Sequence, residues 1–220
     1  MISDQLLGEA RKRLYAAVIS DVLDSLGHMN GAMRPGIRPL DESLVLCGRA
    51  RTALYHEVYH VADGHNPYEL EIALIDDLDP GDIAILACGG SQRIAPWGEL
   101  LSTVATVRGA LGCVTDGCVR DIKCIRAMAF PVFHGGIAPL DSRGRGEVAA
   151  IDVPVECGGA RVAPGDFVFG DADGVVVVPA ELAEETIGLA LKKVDGEDRT
   201  REELARGDSL AQVFARHGIL

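Results

Sequence analysis

Residues 89–121 read GGSQRIAPWGELLSTVATVRGALGCVTDGCVRD, and the alternation inside this stretch decides the fold class. The apolar run Ile83–Cys88 enters it, after the turn Asp79-Pro80-Gly81-Asp82, and is short enough for a buried strand. Gly89-Gly90-Ser91 makes a loop at the end of that strand. The spacing predicts a helix over Trp97–Ala110, a short buried strand over Gly112–Asp116 and a second helix over Val119–Ala129, with Asp116-Gly117 as a turn between the last two. Strands alternating with helices in this way predict a parallel sheet.

The same residues carry chemistry. Pro96-Trp97-Gly98-Glu99-Leu100-Leu101 opens a helix after a Gly-rich loop, and first-turn amides such as those of Leu100 and Leu101 have no partner within the helix, so they suit a carboxylate or phosphate. Arg120-Asp121 stands at the next helix start, where open α/β sheets bind ligands. Glu99 and Asp121 can meet across the two neighbouring strand–helix turns. Two carboxylates beside one guanidinium suit a hard cation such as Mg²⁺, with a substrate carboxylate held by arginine. The same residues also fit a plainer reading, in which the acids favour the helix dipole and Arg120 is their surface partner.

Outward from this centre, apolar spacing predicts a helix over Ser3–Gly27, and GAMRPGIRPL reads as loop or edge strand. LVLCGRARTALY at 44–55 reads as strand, Asn66-Pro67 as the start of a helix over Tyr68–Leu78, and Pro131–His134 as strand. The β-rich run GEVAAIDVPVEC, a Gly-Gly turn, ARVAPGDFVFGD and Gly174–Pro179 follow. From Ala180 the pattern is helical, interrupted at Gly188 and Gly196, and ends in SLAQVFARHGIL. We read residues 1–220 as one mixed α/β domain, with two sheets or one mixed sheet flanked by helices.

Composition narrows the function. The 220 residues carry a formal charge of −12, which argues against a nucleic-acid surface and against docking on anionic membrane. Hydrophobic residues at 48% exclude intrinsic disorder, and aromatics at 5% leave the core to Val, Ile, Leu and Ala. No apolar run approaches the ~18 residues of a membrane span. MISDQLLGEARKRL has no apolar region after a basic one, so no secretory signal and a cytoplasmic location are expected. Six cysteines without a C-x-x-C pair read as reduced core thiols.

Two motifs mislead. His56-Glu57-Val58-Tyr59-His60 matches the zinc-peptidase pattern, but that chemistry needs a helix, and here the pattern continues a strand, where residues four apart lie about 13 Å from each other. Asp171-Ala172-Asp173-Gly174 resembles a calcium loop but lacks the twelfth-position acid and reads as a turn between strands.

Taken together, Gly98-Glu99-Leu100-Leu101, then twenty residues from Leu100 to Val119, then Arg120-Asp121, resemble the RraA-like family, in its class II pyruvate aldolase branch (4-hydroxy-4-methyl-2-oxoglutarate and 4-carboxy-4-hydroxy-2-oxoadipate aldolase type). Ser20-Asp21-Val22-Leu23-Asp24, Val114–Asp121, Pro131-Val132-Phe133, Asp171–Val175 and Glu197-x-x-x-Arg201 with Gly207 extend the resemblance over nearly the whole chain. It implies a swivelling β/β/α fold, assembled as a homotrimer or homohexamer with active sites between subunits. It implies Mg²⁺ or Mn²⁺ bound by Asp121, with Glu99 on the metal or its waters and Glu197 reaching those waters from the adjacent subunit. Arg120 would hold the 2-oxo group, and the amides of Leu100 and Leu101 the carboxylate, of a small 2-oxo acid. The implied reaction is retro-aldol cleavage of a 4-hydroxy-2-oxo acid to pyruvate, with oxaloacetate decarboxylation beside it. A metal-dependent route needs no Schiff base from Lys12, Lys123, Lys192 or Lys193. His134, Arg143 and Arg145 are candidates for reading the distal end of the substrate. The alternative implied by the family is a non-catalytic regulator of a ribonuclease, though such members lack the Arg-Asp pair that this chain keeps. The signature acid is Glu99 rather than aspartate, which leaves direct against water-mediated metal contact open.

Overall fold

A computed structural model describes residues 2–218; of the domain read over 1–220 and the helical ending SLAQVFARHGIL, Met1, Ile219 and Leu220 lie outside the described residues. The chain begins with α1 (Asp4–Arg13) and α2 (Ala16–Ser25). The expected single helix over Ser3–Gly27 is broken because Leu14 and Tyr15 are extended, and the Asp171 carboxylate accepts the free amide of Ala16 at 2.8 Å. The Gly/Pro segment contributes only β1 (Arg38–Pro39). Then β2 (Leu46–Glu57), α3 (Glu69–Asp76), β3 (Asp82–Ala87), α4 (Glu99–Arg108), β4 (Gly112–Val119), α5 (Ile122–Met128) and β5 (Val132–Ile137) follow.

Strands β2, β3, β4 and β5 run parallel, so their C-terminal ends share one rim. Three later strands, β6 (Gly146–Ile151), β9 (Phe167–Asp171) and β10 (Gly174–Val178), join antiparallel, while β7 (Val155–Cys157) and β8 (Ala160–Val162) form a separate ribbon. The main sheet runs β1-β5-β4-β3-β2-β9-β10, with β6 also on β2. Its two ends approach each other. The amide of Met33 donates to the Val175 carbonyl and that of Val177 to the Gly31 carbonyl, just before β1 crosses to β5. The result is one nearly closed mixed sheet.

Strand alternation sorts the core. One face of the sheet, with Leu46, Ala50, Ile83, Ile85, Val114, Phe133 and Val168, packs on the β7–β8 ribbon. On the other face, α3, α4 and α5 cover β2 to β5, and Trp97 stacks on Phe130 at 6.1 Å. At the β9–β10 end that outer face is covered by α1, α2 and α6 (Ala183–Ala205), followed by α7 (Leu210–His217). Glycines 188 and 196 do not interrupt α6. Their intrinsic cost of about 1 kcal/mol each is outweighed by packing of Ala183, Ile187, Ala190 and Val194 against α1 and α2. Asp116-Gly117 is not a turn. Both residues lie within β4 at a bulge, which prolongs the strand to Val119. Five cysteines are buried and free as expected, but Cys124 is exposed.

Candidate active site

The rim of the parallel strands carries the site. The bulged Asp116 is 3% exposed, and its carboxylate accepts the amides of Cys88 (2.6 Å), Gly90 (2.9 Å) and Gly158 (3.3 Å). It thereby fixes the Gly89-Gly90 loop that the sequence places between strand β3 and the site helix. Beyond the loop, residues 94–97 extend alongside the end of β4. The amide of Cys118 donates to the Ile94 carbonyl, that of Arg120 to the Trp97 carbonyl, and Trp97 pairs in parallel with Val119. Gly98 and Glu99 are therefore held directly beside Arg120 and Asp121.

Close approach explains Gly98. A Cβ there would lie 2.6 Å from Oδ2 of Asp121. Asp121 caps α5 in the left-handed region (φ 58°), which aspartate tolerates better than most residues. Its Oδ2 accepts the amide of Glu99 at 3.3 Å and lies 3.8 Å from Nε of Arg120. The other end of the guanidinium donates to the Leu140 carbonyl at 3.2 Å and faces Asp141 at 3.7 Å. In α4 the first helical bond is Ser102 to the Gly98 carbonyl. The amides of Leu100 and Leu101 have no partner among the described residues, as the sequence predicts.

Arg120, Asp121, Leu100 and Leu101 all line one cavity of about 290 Å³. Its remaining polar wall consists of residues that sequence reading missed. Tyr68 donates to Asp141 at 2.8 Å, and buried Tyr55 donates to Glu71 at 2.6 Å. Burial pushes the Glu71 carboxyl up to about 7, against the opposing bond from Tyr55. Burial also raises Asp141, but the Tyr68 hydroxyl, backbone amides and Arg120 outweigh it and hold that carboxyl below the ordinary range. Burial and the Asp141 bond push Tyr68 up to about 12. The signal for Glu71 was its place on the apolar stripe with Leu74, Ile75 and Leu78, where a carboxylate is costly.

Two proposed ligands stand apart from the cavity. The Glu99 side chain turns along its helix and accepts from Thr103 at 3.0 Å. Glu197 sits on α6, at the other end of the sheet, where it takes the Tyr15 hydroxyl and lies 3.9 Å from Arg201. Among the described residues, no three His, Cys, Asp or Glu side chains gather to hold a metal. The donors that line the cavity are oxygens, without imidazole or thiolate, which suits a hard cation rather than zinc. Magnesium commonly takes one or two carboxylates and completes its shell with water and substrate oxygens, so Asp121 at the cavity wall fits such an ion.

The zinc-peptidase pattern comes apart in the structure. His56 and Glu57 end strand β2, and Glu57 bonds Ser91 and Arg93 instead. Of the distal candidates, His134 lies on β5 opposite Arg38, and Arg145 donates to the Asp141 carbonyl from the loop behind the cavity. Neither they nor Arg143 line it.

Comparisons with known proteins agree with this architecture. The family model RraA-like (Aldolase/RraA) matches residues 16–177. A protein of Halalkalibacterium halodurans named "Putative 4-hydroxy-4-methyl-2-oxoglutarate aldolase" is 34% identical over 193 residues, 88% of this chain and 85% of its own. The crystal structure of an uncharacterized protein from Pseudomonas syringae pv. tomato superposes with a TM-score of 0.84 at 29% identity, covering 96% of this chain and 98% of that one. Streptomyces coelicolor RraAS2, described as an unusual member of the RNase ES inhibitor RraA protein family, superposes with a TM-score of 0.83 at 27% identity, covering 92% and 100%. With a model match over most of its length, the swivelling β/β/α architecture and neighbours of this kind, the chain belongs to the RraA-like family.

Proposed function

We propose that the protein cleaves a 4-hydroxy-2-oxo acid by a metal-dependent retro-aldol reaction that releases pyruvate, and that it decarboxylates oxaloacetate through the same site. One observation carries this reading: Arg120, Asp121 and the unpartnered amides of Leu100 and Leu101 converge on one cavity. The aldolase name of the bacterial relative supports it.

The amides of Leu100 and Leu101, at the positive end of α4, receive the substrate carboxylate. Arg120 donates to the 2-oxo oxygen, where negative charge develops as the C3–C4 bond breaks. Leu140 and Asp141 hold the guanidinium in place for this. Mg²⁺ or Mn²⁺ would be held by Asp121, with Glu99 and a neighbouring subunit's Glu197 completing the acidic set. Bound there, a divalent ion supplies Lewis-acid stabilisation of that charge and a more acidic water. Among the described residues no lysine lines the cavity, in keeping with a route that forms no Schiff base. Glu197 would reach such a site only from a neighbouring subunit, in a homotrimer or homohexamer with shared sites.

A lactate-dehydrogenase-coupled assay on 4-hydroxy-4-methyl-2-oxoglutarate and oxaloacetate, with Mg²⁺ and with EDTA, tests the reading. Pyruvate release abolished by EDTA is expected; its persistence in EDTA removes the metal, and no release from any 2-oxo acid removes the aldolase. The likeness to the RraAS2 structure supports a second reading as a ribonuclease regulator. A pull-down with the tail region of ribonuclease E decides it, and no binding removes it.

A further inference from the structure

The proposed reaction moves a proton from the 4-hydroxyl to C3, and beside water on the metal the candidates to carry it are the carboxylates of the cavity. Three carboxylates line the cavity: Asp121, Asp141 and Glu71. Asp121 is engaged by the Glu99 amide and Arg120, and Asp141 by Tyr68 and Arg120. Glu71 differs. It stands in the first turn of α3, is 9% exposed, and reaches the cavity wall. Tyr55 fixes its Oε2, while Oε1 has no hydrogen-bond partner among the described residues.

We propose that Glu71 is the proton carrier of this site: its carboxylate takes the proton of the substrate's 4-hydroxyl and returns it to C3 of the departing pyruvate. The proposal rests on the aldolase reading above. The step balances without a further reactant. The O–H pair closes the C4 carbonyl, the C3–C4 pair passes to C3 and the 2-oxo oxygen, and the same proton then forms the third C–H bond of the pyruvate methyl group. One carboxylate can serve both ends because the 4-hydroxyl is borne on C4, the atom next to C3. The groups that face Glu71 are Tyr55 from β2, Arg120 at the end of β4, Asp141 from the loop after β5, Tyr68 at the head of its own helix and the Cys88 thiol after β3. Burial among them raises the carboxyl to about 7, where acceptance and return of a proton are most nearly matched.

Proton exchange into pyruvate isolates the C3 step. The full chain with Mg²⁺ and pyruvate in D₂O is followed by loss of the methyl ¹H signal, beside the coupled cleavage assay. Wild-type protein is expected to do both, with exchange rising as pH passes about 7. Glu71→Gln is expected to slow both by about 100-fold or more, with KM changed less than about threefold, and Glu71→Asp to restore part of the rate. Tyr55→Phe is expected to stay active with its pH midpoint raised by about one unit, since it removes the bond that favours the charged form. Exchange by Glu71→Gln within about threefold of wild type overturns the proposal and leaves the aldolase reading standing. Should that variant fail to fold, an unmoved midpoint in Tyr55→Phe overturns it. Wild-type protein that neither exchanges nor cleaves overturns the aldolase reading itself, and the Glu71 proposal with it.

Discussion

The amide of Glu99 donates to Oδ2 of Asp121 over 3.3 Å, so one carboxylate oxygen joins the start of α4 to the start of α5. Gly98 packs against that same oxygen, 2.6 Å from where its Cβ would be. Its backbone is extended (φ −153°), so closeness rather than torsion demands glycine. Gly98→Ala is expected to displace Asp121 and Arg120, lowering kcat/KM by about 100-fold and stability by about 1–3 kcal/mol. Pyruvate-release kinetics and urea denaturation check both numbers.

Asp121 bears its charge in a left-handed backbone conformation that asparagine also tolerates. Asp121→Asn should therefore keep its stability to about 0.5 kcal/mol while losing about 100-fold or more in activity. Asp121→Ala should lose about 1–2 kcal/mol more, from the backbone alone. Titration calorimetry with Mg²⁺ should show weaker binding for both variants; unaltered binding would clear Asp121 of a role as ligand.

Glu71 makes stability depend on pH. Its carboxyl titrates at about 7 in the fold against an ordinary value of 4.5, so between these the folded chain binds more protons than the unfolded one. The contribution is complete below 4.5 and is lost as pH rises through 7, by about 3 kcal/mol at most. Glu71→Gln cannot ionise. It is expected to melt above wild type at pH 8 and level with it near pH 4.5, by calorimetry at both values.

Arg51 anchors the end of the sheet away from the site. Its guanidinium bonds Asp152 at 2.9 Å and Asp77 at 3.0 Å, and lies 3.6 Å from the buried carboxylate of Asp82. Arg51→Ala takes a cation from beside buried Asp82, which keeps the Asp79 amide and nearby Arg49, and is expected to cost about 1–2 kcal/mol. Arg51 does not line the cavity, so activity below the melting range should be unchanged; a loss there would show the sheet communicating with the site.

The alternation of residues 83–121 was legible because each apolar run there is short and punctuated by Gly, Pro or Asp. Arg120, Asp121 and the Leu100 and Leu101 amides were legible because strand–helix turns place such groups on one rim. Less visible was anything decided by contacts distant in sequence. The break at Leu14-Tyr15 depends on Asp171, and the strand character of Asp116 depends on amides at 88, 90 and 158. Continuity of α6 through its glycines depends on packing that no local propensity encodes. Tyr68, Glu71 and Asp141 come from separate elements that meet only once the sheet is built.

The seam where residues 31–33 meet β10 bears on how the chain folds. It joins segments separated by almost the entire sheet-forming sequence, so the entropy of that loop must be spent before any bond there repays it. The parallel centre, β2 to β5 with its three helices, is built from near neighbours and can order first. Once the seam shuts, neither end of the main sheet is left as a long bare edge on which a second chain could grow. Substitutions at Gly31, where a methyl would strike the Val177 carbonyl at 2.8 Å, would then reveal themselves as slow refolding and aggregation before any loss at the cavity.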